Sequence, residues 1–141
     1  MTVKEFLSQA FMLHKLINAK EERIQNLRDR QLQLGGALSD VKVQTGPAQD
    51  PVGEITAVLL DLIDECRHDI DKLLKVQQEI AATIEKVERS DLRLILFERY
   101  INLKRWEDIA ADNNYSWRTV HRKHGEALAQ VGIVWHTLDM L

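Results

Sequence analysis

Two interrupted apolar series, each advancing by three or four residues, constrain this chain most strongly. The first is Phe6, Ala10, Leu13, Ile17, Lys20, Ile24, Leu27, Gln31, Leu34, Leu38. The second is Ile55, Leu59, Leu62, Cys66, Asp69, Leu73, Val76, Ile80, Thr83, Val87, widened by Ile63, Ile70, Leu74 and Ile84. Steps of three and four keep side chains on one side of an α-helix and repeat as the a/d positions of a heptad seam. Lys20 and Gln31 break the first seam; a polar residue there lowers stability but fixes register and partner. Gly35, Gly36, Gly46, Pro47, Pro51 and Gly53 separate the series and predict a loop over 35–53. Neither helix can bury its stripe alone, so the spacing predicts an antiparallel helical hairpin, or coiled coil, over 1–89. Its arms would be roughly 50 Å long at the rise of an α-helix. A hairpin of that length leaves apolar surface uncovered, which predicts a homo-oligomer.

Composition supports an all-α fold and excludes several classes. Among 141 residues there are six glycines, two prolines and 6% aromatics, too few turn and sheet formers for a β-sandwich or barrel. No apolar run approaches the ~18 residues of a membrane span, and the opening MTVKEFLSQAFMLHKL lacks a signal peptide's apolar stretch. The lone Cys66 lies on the second seam and reads as a buried structural thiol. The expectation is a cytoplasmic protein without a membrane partner. Residues 1–88 carry 11 basic and 15 acidic side chains, the wrong sign for a DNA surface. Any nucleic-acid contact must come from a local patch further on.

Residues 90–141 hold all three tryptophans and both tyrosines. They read as a second domain of three short helices, at about 91–101, 105–112 and 117–131. Ser90 and Ser116 are placed as caps and Gly132 as a stop. Within Trp106–Val120, Ile109 and Val120 are expected to face a shared core. Ala110 permits close helix approach, Asn114 suits a left-handed turn and Tyr115 plugs the junction. This is the make-up of a helix-turn-helix. The second helix opens on Trp117, Arg118, Thr119, Val120, His121, Arg122, Lys123, His124, with no acid before Glu126. Arg118, His121 and Arg122 share an outer face at i, i+3, i+4. Arg pairs with guanine bidentately in the major groove, and His donates to base acceptors. Lys104, Arg105 and Lys123, together with Ser116 and Thr119 at the helix N-terminus, are expected at phosphates of double-stranded DNA.

Ile109-Ala110, Ser116, Val120 and Ala127-Leu128 together resemble the helix-turn-helix of bacterial sigma factors that reads the promoter −35 element, their region 4. With Glu98-Arg99-Tyr100 upstream and Arg122–Leu128 behind, the chain is similar to small phage and prophage regulators. In that group a coiled coil precedes a sigma-like domain, in proteins of the late-gene or autolysin-regulatory type. The resemblance implies DNA binding and base reading by Trp117, Arg118, His121 and Arg122; the acidic hairpin is expected to oligomerise the chain or to present a surface to RNA polymerase or another protein. Asn113 departs from the pattern, which usually has an apolar residue under the turn.

Other chemistry has weaker support. His121 and His124 lack a Cys or acid at metal-ligand spacing, so no metal is expected. Asp61, Asp64, Glu65, Asp69 and Asp71 read as a solvated helix face. Trp135, with Ile133, Val134 and Leu138, reads as a tail packed on the core or on a partner. There is no phosphate-cradling glycine loop and no nucleophile–base pattern, so neither an enzyme nor a cofactor is expected. The alternative to a DNA-binding regulator is a phage structural, packaging or coiled-coil interaction protein whose helix-turn-helix docks protein.

Overall fold

A computed structural model of the chain describes residues 1–39 and 50–139. Among these the fold is all-α. Five helices follow in order: α1 Val3–Ser39, α2 Pro51–Ile84, α3 Ser90–Tyr100, α4 Trp106–Asp112 and α5 Trp117–Asp139.

Local signals account for most helix ends. Thr2 and Glu5 form a reciprocal capping box, with the Glu5 amide donating to Thr2 Oγ1 at 3.1 Å and the Thr2 amide to Glu5 Oε2 at 2.8 Å. Asp50 accepts the Gly53 amide at 2.9 Å and Pro51 occupies the first turn of α2, where a missing N–H costs nothing. Three expectations need correction. Helix extends through Gly35 and Gly36 to Ser39 and resumes at Pro51, so the breaker region is shorter than 35–53; its centre, 40–49, lies outside the described residues. Ser90 is the first helical residue of α3 and not its cap, which is Arg89 without a side-chain bond. Gly132 does not stop α5. Val131 and Trp135 on either side of it pack into the core, and that burial outweighs the modest helix cost of one glycine.

The chain divides into two compact units, residues 14–72 and residues 1–13 with 73–141. A boundary at 89/90 is not where the contacts part: the first turns of α1 and the last turns of α2 share a core with the helices that follow. In the unit of residues 14–72, Ile24, Leu27, Leu59 and Cys66 form the buried cluster, flanked by Ile55, Leu62 and Ile63. The polar interruptions of the seam pair with each other. Lys20 Nζ donates to Asp69 Oδ2 at 2.5 Å, and Gln31 Nε2 donates to Thr56 Oγ1 at 2.6 Å. Cys66 is buried, and desolvation pushes its thiol pKa up. In the other unit Phe6, Leu7, Ala10, Ile80, Ile84, Val87, Leu92, Leu96, Tyr100, Ala127 and Val131 form one core. The Phe6 and Trp135 rings lie 4.9 Å apart at its edge.

Candidate nucleic-acid interface

The turn between α4 and α5 is built from backbone bonds and one left-handed residue. Asn114 has φ 56°, and the Tyr115 amide donates to the Ala110 carbonyl at 2.9 Å. Asn is among the side-chain-bearing residues that accept this conformation most readily. Ser116 Oγ accepts the Thr119 amide at 3.1 Å and donates to Thr119 Oγ1 at 2.8 Å, so the expected cap of α5 forms. Ile109 and Val120 are fully buried beneath the turn. Asn113 makes its departure from the apolar pattern good with two bonds. Its Nδ2 donates to Ile109 O at 2.8 Å and to Glu98 Oε2 on α3 at 3.1 Å. A second left-handed residue, Leu103 at φ 57°, turns the chain between α3 and α4.

On α5 the four expected base readers are all exposed: Trp117, Arg118, His121 and Arg122. The His121 ring contacts two indoles at a tilt, its centroid 4.3 Å from that of Trp117 and 5.4 Å from that of Trp106, which restrains the ring. Arg118 and Arg122 form no ion pair among the described residues. The neighbouring carboxylates are occupied by other cations. Arg89 bonds Glu126 at 2.9 Å and Asp91 at 2.8 Å, and Lys123 bonds Asp91 at 2.6 Å. These partners hold the Asp91 carboxyl down to about 2, Lys123 being the larger influence.

The expected phosphate contacts divide. Lys123 is only 15% exposed, tied to Asp91 and lying 5.1 Å from the Tyr115 ring centroid. It is a strut from α5 to α3. Being one residue beyond Arg122 turns it about 100° around the helix, toward the core side. Half-buried Lys104 and exposed Arg105 pair with Asp112 at 3.0 Å and Asp108 at 3.3 Å. Solvent-accessible pairs of this kind contribute little, so a phosphate can compete for either cation. Ser116 and Thr119 have their mutual cap bonds as a first use.

Two features escaped the sequence reading. His124, the last residue of the basic run, is buried, with its Nε2 joined to the Tyr100 hydroxyl by a 2.6 Å hydrogen bond. Desolvation first, then Lys4, His121 and Arg99, push its pKa down to about 4. Burial likewise raises Tyr100 to about 12. Arg99 lies against two rings, its guanidinium carbon 4.6 Å from both the Phe11 and the Trp106 centroids, and donates to Lys104 O at 2.8 Å. The spacing held the hint: His124 lies four residues beyond Val120 and three before Ala127, on the inward face, whereas His121 shares the outer face with Arg118 and Arg122.

The fold therefore defines an all-α chain in which a helical hairpin is joined to a compact unit containing a helix-turn-helix. The chain belongs to the family described as "Protein of unknown function (DUF1492)", which matches residues 32–132. No curated protein and no solved structure matches it. Among the described residues no helix is long and apolar enough to cross a membrane.

Proposed function

We propose that this protein is a DNA-binding transcriptional regulator of the phage sigma-like type, whose α5 enters the major groove. The carrying observation is the outer face of the first two turns of α5. There Arg118 and Arg122 are exposed and free of carboxylates, with Trp117 and His121 beside them. A guanidinium already paired would have to break that pair to bond guanine; these two need not. Lys104 and Arg105 flank the turn and supply exchangeable phosphate contacts. The acidic hairpin carries exposed Val58 and Leu60, at 48% and 63%, which favour self-association through that unit. RNA polymerase is a partner that the sigma-like reading would add. Selection of bound sequences from random duplex DNA tests the reading: enrichment of a compact motif supports it, and an unenriched pool sinks it.

One observation favours the rival reading, a structural or packaging protein that docks protein through the same face. Trp117 is 54% exposed, and tryptophan is enriched at protein–protein hot spots. Under that reading Trp117→Ala abolishes a protein complex while leaving DNA behaviour unchanged.

A further inference from the structure

Beside α5, and wholly within the unit of residues 1–13 and 73–141, lies a cavity of about 190 Å³. Pockets for drug-sized ligands run to roughly 300–1,000 Å³, so this one suits a smaller group. Its lining is one-signed. Lys4, Arg99 and His121 contribute basic groups, Ser8 and Tyr100 hydroxyls, and no acidic residue lines it. His124 also lines the cavity; after burial, the nearby Lys4, His121 and Arg99 further oppose its protonation.

Arg99 is the central group. It is half-buried, and burial pulls its pKa below the ordinary guanidinium value. Of its five donors one is used on the Lys104 carbonyl. The carboxylate it feels, Glu107, makes no hydrogen bond with it. The Phe11 and Trp106 rings both lie against the guanidinium and restrict where it can move. A half-buried guanidinium whose neighbouring carboxylate is not hydrogen-bonded to it keeps most of its donors unused, and a bound anion would take them up.

We propose that this cavity is an oxyanion site for a phosphate-type group, held by Arg99 and Lys4 with His121 at its rim. The phosphate belongs either to a free phosphorylated ligand or to the backbone of a nucleic acid. The site stands whether or not α5 reads bases, because it is defined without DNA.

The test titrates the full-length protein with inorganic phosphate at constant ionic strength, sodium chloride serving as the matched control. Indole N–H and imidazole C–H signals are followed by NMR. The expected result is a saturable shift of the Trp106 and His121 signals with phosphate alone, and a rise of the His124 pKa as an anion enters among its positive neighbours. Arg99→Gln weakens the response by about tenfold, the loss of one charge-assisted bond. Since Arg99 also supports two rings, Lys4→Gln is the second variant. Lys4 has no bond among the described residues, and its loss weakens the response by about threefold with the fold intact. Displacement of phosphate by a short random duplex assigns the site to backbone phosphate; undisturbed phosphate binding in its presence assigns it to a free ligand. Indistinguishable phosphate and chloride titrations, or a phosphate response unchanged in both variants, overturn the proposal. A protein that binds phosphate here but no duplex refutes the DNA reading and leaves this site standing.

Discussion

The hairpin unit and the unit that carries the helix-turn-helix answer the same problem differently. Both must bury helix faces. In residues 14–72 two helices meet along a narrow seam, with a four-residue buried cluster and two polar pairs set into the same line. In the other unit parts of four helices enclose eleven buried residues, and the polar groups inside, Tyr100 and His124, are bonded to each other. The first arrangement is rich in specificity and poor in burial. The second has burial enough to hold cationic and aromatic side chains in place on its surface. The sets of residues proposed for function lie on the second unit for that reason.

Core truncation should separate the two units most sharply. Leu96 is fully buried, so Leu96→Ala is expected to cost about 3–5 kcal/mol in denaturant unfolding. Ile63, at the flank of the hairpin cluster, should cost only about 1–2 kcal/mol as Ile63→Ala. Equal costs would mean that the hairpin seam is covered as fully as the core.

The next effect is pH-dependent and belongs to one unit. His124 titrates near 6.5 when unfolded and at about 4 when folded. Below 6.5 the unfolded chain therefore takes up a proton that the folded chain refuses. Stability is full above 6.5 and falls as pH drops toward 4, by roughly 2–3 kcal/mol for this site. His124→Gln should flatten that slope, whatever it does to stability at pH 7.5. Tyr100→Phe leaves the imidazole without its partner and should cost about 1–3 kcal/mol at neutral pH.

A smaller effect tests what the polar seam residues contribute. Lys20→Met alone strands Asp69 without its partner and should lower the unfolding midpoint. Adding Asp69→Leu should restore or exceed the original stability, while light scattering reports a broader distribution of assembled states as register is lost. A double variant that stays destabilised would show that the pair contributes net stability.

The periodic parts of this fold were legible because periodicity is local. Both seams, the burial of Cys66 and the turn at Asn114–Ser116 follow from spacing and turn chemistry in a few consecutive residues. The partners of Lys20 and Gln31 could not be anticipated: Asp69 read as part of a solvated acidic face, and Thr56 lies off the series. The unit boundary was not legible. The 3-4 series runs unbroken through Leu13 and Leu73, and only tertiary contacts decide where a helix leaves one core and enters another. The same limit explains Gly35-Gly36 and Gly132, where helix persists across residues of weak propensity. On α5, the basic run 118–124 was visible as charge, but its sorting into exposed Arg118 and Arg122, strut Lys123 and buried His124 depends on where α3 lies.

That sorting gives the most direct measurement of the central claim. Duplexes recovered by selection would be titrated with the parent protein, Arg118→Ala, Arg122→Ala and Lys123→Ala, followed by fluorescence anisotropy at two salt concentrations. If α5 reads DNA, Arg118→Ala and Arg122→Ala each lose about 1–3 kcal/mol of affinity for the selected sequence and flatten the preference over random duplex. Lys123→Ala lowers the unfolding midpoint while leaving the salt dependence of binding unchanged, because its charge is spent on Asp91. If both arginine variants remain folded and bind every duplex as the parent does, α5 does not read DNA.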